Sequence, residues 1–252
     1  MLADRRKQLI LERLRTDGQV SASALSADLG VSEDTIRRDL RDLAREGLLQ
    51  RVHGGALPAS PALGTVSQRE RVSPGEKAIL GRAGARLIDN GQVVFLDGGT
   101  TTRELVRALP NGLRATFVTH SPEIALELAR HPMLDIILIG GQLFRHSMVT
   151  FGASTVESIK HVRADLFFLG VTGIHPKEGL STGDFQEAGV KRAFHACAAE
   201  TIVMASSEKL GAASTYLVVP SSEIAQLIVV HGVQSAVPEQ FASLGIDVTY
   251  AS

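Results

Sequence analysis

The stretch from residue 31 to residue 56, VSEDTIRRDLRDLAREGLLQRVHGGA, contains a capped helix followed by a short alternating segment. Ser32 is a favourable N-cap residue, and two acidic residues follow in the first turn, where the helix dipole favours negative charge. The helix is predicted to run to about Arg45 and to end at Gly47. The letters LLQRV then alternate like a strand and HGG indicates a turn, so the stretch closes with a small hairpin.

Two shorter helices are predicted before this stretch. The first runs from about Asp4 to Thr16 and stops at Gly18, and the second begins near Ser21 and ends at Gly30. Three helices with a tight turn before the last, followed by a hairpin, make a winged helix-turn-helix. This motif places the N-terminal residues of its last helix against base edges in the major groove of DNA.

The candidate DNA-binding residues are polar and lie off the buried face of the last helix or on the hairpin, which forms the wing. They are Thr35, Arg37, Arg38, Arg41, Arg51 and His53. An amphipathic helix with two adjacent arginines is also typical of an ordinary solvated surface. The order of two capped helices, a short turn and a wing favours double-stranded DNA as the partner.

Composition limits the functions that are open to the chain. It has 252 residues, of which 44% are apolar, so it can bury a substantial core. The single cysteine, Cys197, cannot form an intrachain disulfide, which favours a reducing cytoplasm. No apolar run is long enough to span a bilayer, and we expect no membrane association. No Cys and His cluster has zinc-ligand spacing, so we expect neither a metal nor another cofactor.

Charge indicates how DNA would be bound. The formal net charge is −1, which argues against a general coat for polyanions. Residues 1–60 contain ten Lys and Arg against nine Asp and Glu, and nine of the ten cations are arginine. Affinity for DNA would therefore come from individually placed arginines.

The periodicity changes after the wing. Residues 58–72 have no clear pattern and are predicted to be a linker, which divides the chain into a DNA-binding domain at 1–57 and a larger domain at 73–252. Ser73 and Glu76 have the spacing of a capping box, with Pro74 at the first helical position. Beyond them, short aliphatic strands alternate with helices, which predicts an α/β domain with a mainly parallel sheet covered on both faces.

The predicted elements of the larger domain are short. The strands are 93–96, 115–118, 134–139, 166–169, 201–205, 216–219, 227–230 and 247–250. After the first helix of this domain, further helices are predicted near 103–109, 122–130, 153–160 and 185–199.

Small and hydroxyl residues follow four consecutive predicted strands, at the edge of the sheet where ligands of such folds bind. They are Asp97, Gly98, Gly99, Thr100, Thr101 and Thr102 after the first strand, Thr119 and His120 after the second, Gly140 and Gly141 after the third, and Gly170 and Gly173 after the fourth. Free N–H groups and hydroxyls at a helix N-terminus suit a phosphate. A tight strand-to-helix turn is the structural alternative for the first of these segments.

Three segments add charged candidates. Asp184, Glu187 and Lys191 precede or lie along one helix, and Lys209 follows a later strand. The four-residue spacing of Glu187 and Lys191 is equally that of an ordinary helical ion pair. Lys209 could hold a phosphate as a point charge, or could be an exposed loop residue.

The segments VSEDTIRRDLRDLAREGLLQRVHGGA, LDGGTTT, FVTHS, LIGG, LFFLGVTGI and SSEKLG together resemble the DeoR/GlpR-type bacterial transcriptional regulators over nearly the whole chain. The resemblance implies a repressor whose larger domain is similar to ribose-5-phosphate isomerase and which a phosphorylated sugar releases from DNA. It also implies a homodimer or homotetramer on repeated half-sites. It adds Ser32, Gly54 and Gly55 to the DNA-binding residues.

The chain departs from the family pattern at Thr119-His120, where Thr-Asn is more usual, and at Val230-His231, where many members have Thr-Asp. We expect both departures near the ligand. A sugar-phosphate isomerase or deaminase with a DNA-binding appendage is an alternative function, with Asp97 and Glu187 as possible acid–base groups. A DNA-binding protein whose sensor no longer binds a ligand is another.

Overall fold

The structure is a computed structural model and describes residues 2–252. The N-terminal unit consists of three helices and a three-stranded antiparallel sheet. Its elements are α1 (Ala3–Asp17), β1 (Val20–Ser21), α2 (Ala22–Leu29), α3 (Glu33–Arg45), β2 (Leu49–Val52) and β3 (Gly55–Pro58), with strand order β1-β3-β2. The predicted winged helix-turn-helix is confirmed.

Side-chain caps define the turn between α2 and α3. Ser21 Oγ accepts a hydrogen bond from the backbone N–H of Ala24, and Ser32 Oγ accepts one from that of Thr35. Gly30 ends α2 in the left-handed conformation, with φ of 62°. Both predicted caps are therefore present, and they fix the position at which α3 begins.

A buried ion pair ties α1 to α3 beside the apolar core of this unit. Arg6 Nε lies 2.5 Å from Asp39 Oδ2, and Arg6 Nη2 lies 3.1 Å from Asp39 Oδ1. Ile10, Ile36 and Leu40 pack in the same core. Asp39 is therefore buried and belongs to the scaffold of α3.

The segment between the two units contains regular structure. It holds a 3-10 turn at Pro61–Leu63 and a short helix, α4 (Val66–Glu70). A capping box joins Thr65 to Gln68. The capping box predicted at Ser73 is wrong, because Ser73 adopts a φ of 45° and its side chain caps nothing. The Glu76 carboxylate instead accepts hydrogen bonds from the N–H and the hydroxyl of Ser207, both at 2.8 Å.

The larger unit alternates strands and helices. Its elements are α5 (Pro74–Ala85), β4 (Val93–Leu96), α6 (Thr100–Arg107), β5 (Thr116–Thr119), α7 (Pro122–Leu128), β6 (Asp135–Leu138), β7 (Gln142–Phe144), β8 (Val149–Phe151), α8 (Ala153–Lys160), β9 (Ala164–Leu169), β10 (Gly173–His175), β11 (Gly179–Thr182), α9 (Phe185–Ala196), β12 (Ala198–Ala205), β13 (Tyr216–Val219), β14 (Gln226–Val230), α10 (Val237–Ser243) and β15 (Asp247–Ala251).

Seven of these strands form one fully parallel sheet in the order β15-β14-β12-β9-β4-β5-β6. One apolar cluster, with Leu80 and Leu105, lies on the side of α5 and α6, and the other, with Phe194 and Phe241, lies on the side of α9 and α10. The predicted parallel sheet covered on both faces is confirmed. Strand β4 lies between β5 and β9, so the strand order reverses beside it, which is where open α/β sheets bind ligands.

Two small antiparallel sheets project from the main one. Strands β10, β11 and β13 form one of them, and β7 pairs with β8 in the other. The segment 216–219 was predicted as a strand of the main sheet, and it is a strand, but it pairs with β11. Within residues 2–252, no helix combines the length and the apolar character needed to cross a membrane.

Candidate ligand pocket and nucleic-acid interface

A pocket opens at the carboxyl ends of β4 and β9. We call it the main pocket. Its wall includes residues of the strand ends, of α9 and of the loop after β12. Those predicted from the sequence are Gly98, Gly99, Thr100, Thr101, Thr102, Gly170, Glu187, Lys191 and Lys209.

The turn from β4 into α6 brings backbone close to this pocket. A Cβ on Gly98 would lie 2.4 Å from Val149 Cγ1, and Gly99 has a φ of 125°, so both positions require glycine. Thr101 is buried, and its Oγ1 has no hydrogen-bond partner among the described residues. The turn thus presents a helix N-terminus and an unused hydroxyl, which together suit an anion.

A buried charge cluster lies beneath the main pocket, and its members Glu187 and Lys191 line the wall. Lys191 Nζ lies 2.5 Å from Asp97 Oδ2 and 3.0 Å from Glu187 Oε1. Burial raises the pKa of Asp97, but the ammonium of Lys191 and the hydrogen bond from His120 outweigh it, and the net pKa is well below the usual range. Burial lowers the pKa of Lys191, but Asp97 and then Glu187 outweigh it and raise that pKa. These charges persist at neutral pH, and the Glu187–Lys191 pair is buried rather than a solvated helical pair.

Three further cations, Arg69, Lys77 and Lys209, line the main pocket together with the turn from β4 into α6. Burial lowers the pKa of Lys209 to about 8, against the opposing effect of Glu208. Burial also lowers the pKa values of Lys77 and Arg69. Lys209 is 8% exposed and forms no ion pair or side-chain hydrogen bond within residues 2–252, so the alternative of an exposed loop lysine is wrong.

Helix α3 presents a mixed surface. Arg37 Nη2 lies 2.7 Å from Glu33 Oε2, in an exposed ion pair of the common four-residue spacing. Arg38 and Arg41 are exposed and form no ion pair with the residues that the structure describes. Ser32 Oγ lies 3.0 Å from Thr35 Oγ1 at the start of the helix. This end of α3 therefore offers two hydroxyls and three guanidinium groups to a partner.

The wing contributes a second exposed group of side chains. Arg51, His53 and Gly54 are exposed at the tip of the β2–β3 hairpin. Gly55 is buried, and a Cβ at this position would lie 1.9 Å from the carbonyl oxygen of Val20. Gly55 thus permits β1 to pair with β3, and it does not reach the surface.

Family comparisons match both units. The DeoR-like helix-turn-helix domain matches residues 6–61, and the DeoR C-terminal sensor domain matches residues 73–230. The chain belongs to the DeoR family of transcriptional regulators. Its helix-turn-helix is a DNA-binding unit, its larger unit is a sensor domain, and the family consists of regulators rather than enzymes, which rules out the isomerase alternative.

Several relatives of this DeoR-family protein are similar along most of their length. The HTH-type transcriptional regulator GlpR of Haloferax volcanii is 36% identical over 253 residues, which cover 98% of each chain. The glycerol-3-phosphate regulon repressor of Escherichia coli K12 is 34% identical over 203 residues, 80% of this chain and 81% of that one. The HTH-type transcriptional repressor GlcR of Bacillus subtilis is 30% identical over 230 residues, 90% of this chain and 88% of that one.

Among solved structures, ribose 5-phosphate isomerase A from Neisseria gonorrhoeae matches with a TM-score of 0.40 and 12% identity, over 53% of this chain and 52% of that one.

Some predicted residues of the DeoR-family sensor domain lie away from the wall of the main pocket. Thr119 and His120 are fully buried beneath it, not facing the crevice as expected. His120 Nε2 lies 2.9 Å from Asp97 Oδ1, and Nδ1 lies 2.8 Å from the carbonyl oxygen of Thr150. Both ring nitrogens therefore face oxygen atoms, one of a carboxylate and one of a backbone carbonyl. His120 therefore positions Asp97 from below.

Other predicted positions have structural roles. Thr119 Oγ1 accepts a hydrogen bond from the N–H of Ser121, and the carbonyl of Gly140 accepts one from Thr155. A Cβ on Gly141 would lie 2.1 Å from Thr155 Oγ1, and one on Gly173 would lie 2.7 Å from the carbonyl oxygen of Ala212. None of these four residues lines the main pocket.

The two remaining polar candidates lie farther out. Asp184 is the N-cap of α9, where its Oδ1 accepts a hydrogen bond from the N–H of Glu187. It also lines a neighbouring cavity, the outer pocket, together with Ser147 and Glu187. His231 is exposed after β14 and lines neither pocket, contrary to the expectation that it lies near the ligand.

Two cations of the main pocket, Arg69 and Lys77, were not predicted from the sequence. Lys77 lies on α5, four residues after Ser73. Arg69 lies in the segment that was predicted to be a linker. The one signal for Arg69 was the Thr65–Gln68 capping-box spacing, which identifies a helix but not the pocket that it faces.

Proposed function

We propose that this DeoR-family protein represses a carbohydrate-metabolism operon and that a phosphorylated sugar releases it from the operator. The observation that carries the proposal is Lys209. Its side chain is largely buried, its ammonium has no ion-pair partner in residues 2–252, and it lines the same pocket as the glycine-threonine turn at the start of α6. A charge buried without a counter-ion is costly, and a phosphate would compensate it.

The other side of the pocket suits the sugar. The Glu187 carboxylate accepts a hydrogen bond from Ser147 Oγ at 3.3 Å and pairs with Lys191. Carboxylate, hydroxyl and ammonium groups placed together can accept from and donate to the hydroxyls of a polyol. A ligand with one anionic group and several hydroxyls matches both sides. The name of one relative, the glycerol-3-phosphate regulon repressor, supports a phosphorylated effector.

We propose that the protein binds DNA as more than one copy of the chain. We expect a homodimer or homotetramer in which two α3 helices read half-sites about 34 Å apart. The N-terminal unit at 1–57 would bind DNA, the segment at 58–72 would connect, and the unit at 73–252 would bind the effector and hold the copies together. Ligand-dependent movement between these parts would change the half-site spacing.

The test begins by finding the operator. Genomic fragments that the immobilised full-length protein retains are sequenced, and binding of a retrieved fragment is followed by fluorescence anisotropy at fixed salt. Sugar phosphates are then added, each beside its unphosphorylated parent. We expect one phosphorylated compound to weaken binding by roughly 5- to 150-fold, the usual range of allosteric coupling, with no effect of its parent.

Two results would count against the proposal. A fragment whose binding is unchanged by every phosphorylated compound that binds the protein would show that the pocket does not control DNA affinity. Strengthened binding would make the protein a co-repressed or activated regulator instead.

A further inference from the structure

The helix that precedes the sensor domain reaches into the main pocket. Residues 62–72 lie between the two matched family domains, because the helix-turn-helix domain ends at 61 and the sensor domain begins at 73. We call residues 61–71 the bridging segment. Its residues Ala62 and Arg69 nevertheless line the main pocket, beside Gly98 and Gly99.

The Arg69 guanidinium lies close to the turn from β4 into α6. A Cβ on Gly99 would lie 4.0 Å from Arg69 Nη1, so this nitrogen lies close to Gly99, the N-cap residue of α6. Arg69 Nε and Nη2 are buried, and neither has a hydrogen-bond partner within residues 2–252. Thr101 Oγ1, buried in the same wall, is also without a partner there. A planar donor fork beside a helix N-terminus matches the oxygens of a phosphate.

The bridging segment is fastened to the sensor domain on several sides. His146 accepts a hydrogen bond from the N–H of Val66 through its carbonyl oxygen, and its Nε2 lies 2.9 Å from the carbonyl oxygen of Leu63. Glu70 Oε1 pairs with Arg103 Nη1 at 2.8 Å. These contacts hold α4 against the sensor domain, with Arg69 in the wall of the main pocket.

The same segment continues directly from the wing. Strand β3 ends at Pro58, Ala59 forms an isolated bridge with Ala213, and Ser60 Oγ donates to the carbonyl oxygen of Thr172. Only a few residues separate α4 from the DNA-binding unit. A change in the position of α4 is therefore expected to move that unit as well.

We propose that Arg69 is a phosphate ligand supplied by the bridging segment, so that a bound phosphate group fastens this segment to the sensor domain. This inference rests on the proposed function and adds a residue and a route to it. Without an anion, the buried guanidinium opposes the docked position of α4. A bound anion contacts Arg69, the α6 N-terminus and Lys209 at once. The position of the bridging segment therefore depends on ligand occupancy.

The test combines ligand affinity with local exchange in the full-length protein. Calorimetric titration with inorganic phosphate and with glycerol 3-phosphate gives the affinity, and hydrogen exchange by mass spectrometry follows peptides of the bridging segment. We expect both anions to slow exchange in this segment. Arg69→Gln should bind them at least about tenfold more weakly, because it removes charge-assisted hydrogen bonds, and should lose the slowed exchange.

The matched control is Arg71→Gln. Arg71 lies two residues along the same segment, is exposed and does not line the pocket, so the variant removes an equal charge without the contact. Its affinity and its exchange should equal those of the wild type. Arg69→Lys keeps the charge but lacks the planar guanidinium, so it should bind the anions less tightly than the wild type. This variant tests the role of Arg69 if circular dichroism shows that Arg69→Gln does not fold.

The outcomes separate the two proposals. If the wild type binds an anion and Arg69→Gln or its lysine counterpart binds it equally tightly with the same slowed exchange, the role of Arg69 is refuted while the anion pocket stands. If the wild type binds neither probe nor any sugar phosphate, both proposals fall.

Discussion

Lys191 Nζ lies 2.5 Å from Asp97 Oδ2, although the two residues are 94 positions apart in the chain. Asp97 directly follows strand β4 and Lys191 lies on α9, so the pair joins the sheet to the helix that covers it. Asp97 also accepts hydrogen bonds from His120 and from the N–H groups of Gly98 and Gly170. The carboxylate thus holds the turns after β4 and β9 in place, and it shapes the pocket without lining it.

Replacing Asp97 by asparagine should destabilise the protein strongly. The variant leaves Lys191 buried with only Glu187 as a counter-charge, and breaking a buried pair in this way costs about 3–5 kcal/mol. Urea unfolding at neutral pH measures the change. Asp135→Asn, an exposed position on β6, is the control and should stay within about 0.5 kcal/mol of the wild type. A loss at Asp97 no larger than that of the control would refute the role of this pair.

The same carboxylate predicts a loss of stability in acid. Its pKa in the folded protein is lower than the unfolded value of about 3.9, so the unfolded state binds a proton more readily. The contribution is therefore fully present above about pH 4 and is lost as the pH falls toward the folded pKa. The Asp97→Asn variant should lose this part of the wild-type acid transition. Identical slopes of stability against pH below 4 would contradict the assignment.

Lys209 predicts opposite effects of alkaline pH on ligand affinity and on stability. Its pKa of about 8 in the folded, ligand-free protein means that the ammonium is lost as the pH rises through 8, so phosphate affinity should fall there. Because the unfolded lysine stays protonated to about pH 10.4, the stability of the ligand-free protein should rise over the same interval. Lys209→Met should flatten both curves. Unchanged curves in that variant would show that another group is responsible.

Arg38 should contribute more to operator affinity than its neighbours at the far end of α3. It is exposed and unpaired within residues 2–252, so a base contact requires no ion pair to break. We expect Arg38→Ala to cost about 1–3 kcal/mol of binding free energy in anisotropy measurements at fixed salt. Arg45→Ala, which removes an equal charge that is paired with Asp42, should have little effect. Equal losses would indicate a merely electrostatic role.

The two wing glycines should respond differently to alanine. Gly55→Ala forces a Cβ against the carbonyl of Val20, at a cost of about 3 kcal/mol, the upper part of the overpacking range. Gly54→Ala meets no neighbour and carries only the cost of its φ of 77°, about 1–2 kcal/mol. Exchange of the Ala22 amide, which donates to the carbonyl of Gly54, measures both. We expect roughly 100-fold acceleration for Gly55→Ala and roughly 5- to 30-fold for Gly54→Ala. The reverse order would show that Gly55 does not control strand pairing.

Local signals in the sequence predict the elements of this fold well, because their causes are local. Ser21 and Ser32 cap their helices through bonds that span three residues, and segments 93–96 and 153–160 match their elements residue for residue. The hairpin of β7 and β8 and the strands β10 and β11 were missed. Their pairing partners lie in small projecting sheets, where no apolar run or alternation marks them.

The site was predicted in part for the same reason. The turn from Gly98 to Thr102 is marked by its own composition, but the partners that decide the roles of His120 and Glu76 are distant in sequence. His120 was placed at the pocket wall because it follows a strand end, yet Asp97 and Thr150 hold its ring below that wall. Arg69 was missed because a segment without periodicity gives no indication of the surface on which it packs.

Thermal unfolding of the full-length protein with sugar phosphates, each beside its unphosphorylated parent, tests the anion pocket most directly. The chain has no tryptophan, so an external dye reports the transition. A phosphorylated sugar at about 100 times its dissociation constant should add roughly 2.7 kcal/mol and raise the midpoint by a few degrees, while its parent sugar should not. A shift produced equally by the phosphorylated compound and its parent would contradict a pocket built around Lys209 and the α6 N-terminus.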